Sequence, residues 1–208
     1  RLSRLRDKVQ LLADAGVDLV LCLAFNQRLR ELSAAAFVQA VLVDGLGVKH
    51  LEIGDDFRFG CDRSGDFAFL QQAGAVAGFT VEEAATVELT GSRVSSTRVR
   101  EALQASDFAE AEHLLGRPFA IAGRVVHGQK LGRQLGTPTA NVQLKRHRVP
   151  LNGVFLVSVE LEGVLQPGVA NIGVRPSVKA DGFAHLEVHL LDFTGDLYDR
   201  RVSVVFHH

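Results

Sequence analysis

Three glycines recur at every fourth position, Gly128, Gly132 and Gly136, with Lys130 and Arg133 among them and Pro138-Thr139-Ala140-Asn141 following at once. Glycine lets backbone amides approach an anion closely and adopt positive φ, and the two cationic side chains add charge. Thr139 and Asn141 are two residues apart, so on a strand they share a face. A hydroxyl and an amide oxygen on one face are hard donors of the kind that hold magnesium. The stretch reads as a phosphate-and-magnesium loop feeding a strand. It is not a P-loop, because no Gly-Lys-Ser/Thr closes it and no helix pattern follows. A plain glycine-rich connection between strands uses the same residue types, so the local pattern leaves both readings open.

Three further stretches carry chemistry. In His185-Leu186-Glu187-Val188-His189-Leu190 the apolar residues alternate with His185, Glu187 and His189. A strand would put the carboxylate and both imidazoles on one face, either as a solvated surface or as an acid/base group with neighbours. Gly54-Asp55-Asp56-Phe57-Arg58-Phe59-Gly60 follows a predicted strand, the position where open α/β sheets bind ligands. Ser95-Ser96-Thr97-Arg98 opens a helical pattern. Helix N-termini attract phosphate and an arginine adds a charge-assisted donor, although a capped surface helix has the same pattern. His127 stands beside the glycine run and Arg175 precedes Pro176 on a shaped loop.

These residues need elements to hold them. Leu2, Leu5, Val9 and Leu12 recur at helical spacing over 2–15, and the apolar run 18–25 reads as a buried strand. A helix capped by Ser33 runs from 34 to about 42, a strand over 48–53, a helix over 65–77 and a strand over 79–89. Alternating strands and helices imply a Rossmann-like α/β domain with a parallel sheet. Two more helices follow, one capped by Ser95 or Ser96, the other starting at Asp107 and ending at Gly116. At Arg117-Pro118 the pattern changes. Strands over 119–127, 139–144, 153–161, 167–172, 184–193 and 200–206, with no helices between them, predict an all-β, six-stranded antiparallel barrel. The domains are therefore expected at 1–117 and 118–208.

The second domain resembles the riboflavin kinase family. The resemblance rests on the glycine arch running into Pro138-Thr139-Ala140-Asn141 and on three later segments in the same order. These are Gly153-Val154-Phe155-Leu156-Val157, Gly168-Val169-Ala170-Asn171-Ile172-Gly173-Val174-Arg175-Pro176-Ser177, and Leu186 to Phe193 with Gly195-Asp196-Leu197-Tyr198. The Gly54–Gly60 and Ser95–Arg98 segments resemble the FMN adenylyltransferase half of the bifunctional bacterial riboflavin kinase/FAD synthetases. The resemblance implies a nucleotidyltransferase fold before the barrel, FAD biosynthesis in two ATP-dependent steps, and Mg2+ with ATP as co-substrate. Riboflavin and FMN are the other expected ligands.

The resemblance also implies roles. Gly128, Lys130, Gly132, Arg133, Gly136 and Pro138 would bind ATP, and Thr139 and Asn141 the metal. Glu187 would be the base that accepts the proton of the flavin ribityl 5′-hydroxyl, with His189 a candidate orienting group, and Arg175 would serve the flavin. Ser95, Ser96, Thr97 and Arg98 would handle ATP phosphates in the adenylyltransferase. Asp199 stands where relatives usually have glycine, so that turn is expected to differ. The family's Gly-x-Phe-Asp-x-x-His-x-Gly-His stretch does not occur among these residues, and further segments are expected before residue 1 and after residue 208. A module that holds flavin or nucleotide without turnover is the alternative.

Composition bounds the rest. The 208 residues are 47% hydrophobic, enough for a sizeable core. A net charge of −1 carries no nucleic-acid signature, and no apolar run is long enough for a membrane span. The basic run Lys145-Arg146-His147-Arg148 suits a solvated loop better than an RNA site, because no row of stacking aromatics accompanies it. Cys22 and Cys61 have no metal-ligand spacing and fit reduced thiols in the cytoplasm.

Overall fold

The computed structural model describes residues 2–128, 138–145, 149–161, 163–174 and 184–208. They form two compact units, one of Leu19–Arg93 and one of Val94–His208 together with Arg1–Asp18.

Helix α1 (Leu5–Asp14) opens the chain and groups with the distant second half. Asp7 accepts a hydrogen bond from the Arg4 backbone at the helix start and pairs with the Arg4 guanidinium at 3.1 Å. It also pairs with Arg201 at 2.7 Å. Arg4 in turn donates to the carbonyls of Ala122 and Gln143. Burial by itself pushes the Asp7 carboxyl up, but the hydrogen bonds and charge of Arg4, joined by the charge of Arg201, hold it below its ordinary value. A carboxyl lowered in the folded state contributes stability above its unfolded pKa and loses it as pH falls through the folded one. Hydrogen-exchange protection of α1 is therefore expected to drop when the pH is taken below the ordinary carboxylate range. Asp7→Asn should give the unprotected pattern already at neutral pH. Equal protection of α1 in both proteins at all pH values would remove Asp7 as the anchor.

In the Leu19–Arg93 unit, residues 18–25 form no strand, contrary to the sequence pattern. Leu19 and Phe25 are 77% and 78% exposed. An apolar run becomes a strand only where a ladder partner stands beside it, and among the described residues the parallel sheet has two members, neither next to this segment. A short helix α2 (Gln27–Arg30) follows. Next comes α3 (Ala34–Phe37), capped by the Ser33 hydroxyl and continued as a π-helical turn Val38–Val43. Strand β1 (His50–Ile53), helix α4 (Phe67–Ala77) and strand β2 (Thr80–Glu83) make a parallel β-α-β unit. Its core is Ala34, Val38, Leu42, Ile53, Phe59, Leu70 and Phe79. The expected strand over 79–89 is shorter, and a small hairpin of β3 (Glu88–Leu89) and β4 (Ser92–Arg93) closes the unit.

Helices α5 (Ser96–Gln104) and α6 (Phe108–Leu115) start on the caps Ser95 and Asp107, and α6 ends at Gly116 with φ +68°. Strands β5 (Ala120–Val126), β6 (Ala140–Gln143), β7 (Gly153–Leu161), β8 (Val164–Val174), β9 (Ala184–Leu190) and β10 (Arg201–Phe206) then close a barrel. Its order is β10-β5-β6-β9-β8-β7, antiparallel throughout. Alternation builds it: Leu186, Val188 and Leu190 of β9 point inward with Ala170 and Ile172 of β8, and the residues between them point out. The expected six-stranded antiparallel barrel is the fold observed. The compact units do not divide at 117, however. Phe108 of α6 packs edge-on against Phe155 at 5.6 Å and stacks with Phe206 at 6.1 Å, which joins both helices to the barrel.

Candidate functional site

The barrel's register assembles a polar row. Asn141 of β6 lies directly opposite Glu187 of β9, and Glu187 lies opposite Asn171 of β8. Opposed residues of antiparallel strands share a face, with Cβ atoms ~4.5–5.5 Å apart. This face is the barrel's outside, since the flanking Val142 and Leu186 pair and the Ala170 and Val188 pair are turned into the core. The glycine-to-strand stretch and the Glu187 stretch, far apart in sequence, thus meet.

Gly128 lies against this row. A Cβ added there would sit 2.6 Å from Cγ of Asn141, so only glycine leaves the Asn141 amide in its place. Next to the row, a cavity of about 340 Å³ is walled by Thr139, Val188, Leu190, Phe193, Asp196 and Tyr198 among others. Thr139 stands one residue before β6 and faces this cavity, whereas Asn141 lies on the outer row. Pro138 is also in the wall, and its carbonyl accepts a hydrogen bond from Nδ1 of His189 at 2.9 Å. A carbonyl only accepts, so Nδ1 carries the proton of this hydrogen bond. His189 thereby ties Pro138, two residues after the glycine arch, to β9.

The segment 193–198 offers no spacing that by itself points to chemistry, yet it makes one side of the cavity. Asp196 accepts from the Tyr198 backbone at 2.9 Å, and the Tyr198 ring packs on His127 with centroids 3.9 Å apart. An aromatic and a carboxylate clustered in a turn between two strands is the signal it does carry. Asp199 adopts φ +62°, the left-handed region where glycine is at home, so the turn keeps the glycine conformation with an aspartate in it. Its carboxylate lies 3.7 Å from Arg124.

A magnesium ion accepts few protein oxygens and completes its shell with phosphate and water. Thr139, in the cavity wall, and Asn141, two residues on in the outer row, are both half-buried and carry oxygen donors of that kind. Among the described residues no group of three or more His, Cys, Asp or Glu could hold a metal. Lys130, Gly132, Arg133, Gly136 and Arg175 lie outside the described residues.

The other two stretches sit as follows. In the Leu19–Arg93 unit, the loop after β1 is tied down by Arg93, whose guanidinium lies 3.4 Å from Asp55 and 3.8 Å from Asp56. Thr86 donates to Asp55 at 3.3 Å. In the barrel unit, the Ser95 hydroxyl accepts from the Arg98 backbone, and Ser96 and Thr97 are exposed in the first turn of α5. The Arg98 guanidinium pairs with Glu110 of α6 at 2.9 Å. Among the described residues no helix is long and apolar enough to cross a membrane.

Two family models match successive parts of the chain. Residues 115–208 match the family model described as riboflavin kinase, and residues 1–98 the one described as FAD synthetase. A bifunctional riboflavin kinase/FMN adenylyltransferase of Pseudomonas fluorescens is 77% identical over 192 residues, covering 92% of this chain and 62% of that protein. The Escherichia coli (strain K12) protein of the same name is 53% identical, covering 99% of this chain and 66% of its own length. The Haemophilus influenzae one is 48% identical, covering 100% and 68%. The chain therefore spans about two thirds of the length of these relatives. A crystal structure described as a macrolide-efflux protein from Streptococcus pneumoniae matches with a TM-score of 0.81 at 31% identity, covering 99% of this chain and 66% of that one.

Proposed function

The chain belongs to the bifunctional riboflavin kinase/FMN adenylyltransferase family, and from that premise we propose that its protein makes FAD in two ATP-dependent steps. Riboflavin is first phosphorylated to FMN, and FMN is then adenylylated to FAD. The observation that carries the kinase reading is the β6–β9 register, which sets Asn141 opposite Glu187 beside the cavity walled by Thr139.

In the kinase step Glu187 accepts the proton of the ribityl 5′-hydroxyl. The freed oxygen forms a bond to the γ-phosphorus of ATP, the bond from that phosphorus to the β,γ-bridging oxygen breaks, and ADP leaves. Phosphoryl transfer asks mainly for alignment and charge stabilisation. Gly128, Lys130, Gly132, Arg133 and Gly136 supply amides and charge to the phosphates, and His189 holds Pro138 just after that arch. Thr139 and Asn141 are the residues that would hold magnesium, which when bound neutralises phosphate charge. Arg175 serves the flavin. The protein works in the cytoplasm, where the exposed thiols Cys22 and Cys61 stay reduced.

For adenylylation, Ser95, Ser96, Thr97 and Arg98 meet the ATP phosphates at the start of α5. Arg98→Ala is expected to slow FAD formation and spare FMN formation, read by separating both flavins after one riboflavin feed to the full-length protein. The Arg98–Glu110 pair supplies a control, because Glu110→Gln weakens the pair and keeps the arginine. Unchanged FAD output in Arg98→Ala would reject the phosphate contact. Equal losses of FAD in the two variants would reduce Arg98 to a fastener between α5 and α6.

A further inference from the structure

The row that contains Glu187 has a third member with no assigned part. Asn171 lies opposite Glu187 on the side away from Asn141, so Glu187 is flanked in register by an asparagine on each adjacent strand. Asparagine is depleted in strands, because its side chain competes for backbone hydrogen bonds and packs poorly on a pleated surface. Yet Asn171 sits inside an eleven-residue strand. The other outward positions of β8 carry Leu165, Pro167, Val169 and Gly173. Asn171 is therefore the one outward side chain of β8 with a polar group, and it stands at the register position facing Glu187. On its far side is the exposed Val154 of β7, which offers no polar group.

We infer that Asn171 is a positioning residue for the proposed kinase reaction, its side-chain amide turning to donate a hydrogen bond to the Glu187 carboxylate when substrate is bound. An ionised carboxylate only accepts, and the Asn171 amide has two N–H donors to give. Holding one carboxylate oxygen from the β8 side leaves the other to accept the proton of the substrate hydroxyl. The division of labour across the row follows: Asn141 faces the metal and phosphates, Glu187 the hydroxyl, and Asn171 fixes the carboxylate between them. This rests on the reading of Glu187 as the base.

Two variants of the full-length protein test it, assayed as FMN formation with riboflavin and Mg-ATP. Asn171→Leu removes the donor at similar size. Losing a hydrogen bond to a charged group should lower kcat about 10- to 100-fold with the KM for ATP unchanged. Asn171→Asp places a like charge opposite Glu187 and should move the acid limb of the kcat profile to higher pH. The titratable neighbours on the same face are His185 and His189 of β9, while the described outward positions of β6 and β8 carry none. Both histidines are retained in each variant, so a limb displaced in Asn171→Asp alone reports the new carboxylate. A merely structural asparagine would lower thermal stability and leave that limb in place. Wild-type kcat in Asn171→Leu with an unmoved limb in Asn171→Asp would overturn the proposal. Glu187→Gln run alongside separates the two readings. If it is inactive while the Asn171 variants are silent, only the role of Asn171 falls; if it turns over normally, the base assignment itself falls.

Discussion

Glu187→Gln should form FMN at a rate ~10²–10⁴-fold below the parent, the usual cost of losing a general base. The substitution keeps the length of the side chain and its ability to hydrogen-bond with neighbours on the outer face of the barrel. It replaces the basic carboxylate by a neutral amide, which does not take up a proton. Binding of ATP depends on the glycine arch and on Thr139 and Asn141, so the KM for ATP should stay close to the parent's. Loss in kcat without loss in ground-state binding is the signature of a group that acts in the transition state. Folding should be little affected, because Glu187 is half-buried on the outside of β9 while Leu186, Val188 and Leu190 make the core contacts. Kinase turnover near that of the parent would remove Glu187 from the mechanism. A lowered unfolding temperature alongside lost activity would assign the loss to the barrel, not to the chemistry.

The same strand shows why the barrel is legible in the sequence. A closed antiparallel barrel buries one face of every strand, so alternation in sequence becomes alternation in space, and His185, Glu187 and His189 fall on the outside by period alone. The segment 18–25 shows the opposite case. Its apolar run has strand composition, but a ladder is a property of two segments, and composition names only one of them. Helices α5 and α6 are visible from their caps, while the surface they pack on is not. Phe108 meets Phe155 and Phe206, which lie some fifty and a hundred residues further on in sequence, and no local pattern carries that pairing.

The candidate site divides in the same way. Spacing within one stretch marks Thr139 and Asn141, and Glu187 stands out in its strand only as one polar position among three. That Asn141 and Glu187 face each other depends on the β6–β9 register, set by the whole barrel. Asn171 escapes a sequence reading for that reason: within its own strand it is an asparagine among mostly apolar residues, and only the β8–β9 pairing sets it opposite Glu187. His189, a candidate orienting group for Glu187 by its spacing, has its Nδ1 tied to the Pro138 carbonyl.

Thr139→Val and Asn141→Leu should each raise the magnesium concentration needed for half-maximal FMN formation, by roughly 10-fold or more for the loss of an oxygen donor of this strength. Both changes remove the oxygen at nearly constant volume, so packing is preserved. The two positions are not equivalent. Thr139 lines the cavity between β6, β9 and the Phe193–Tyr198 segment. Asn141 lies on the outer row, braced by the close approach of Gly128 and opposite the Glu187 carboxylate. Its replacement should therefore lower kcat as well, because leucine leaves that carboxylate without the amide on its β6 side. Thr139→Val should shift the magnesium dependence and leave kcat at saturating magnesium nearer the parent's. Titrating magnesium at fixed ATP, with kcat measured at the plateau, separates the two effects. An unchanged magnesium requirement in both variants would place the metal's ligands elsewhere. An identical kcat loss in both would mean that the cavity and the outer row are not distinct parts of one site.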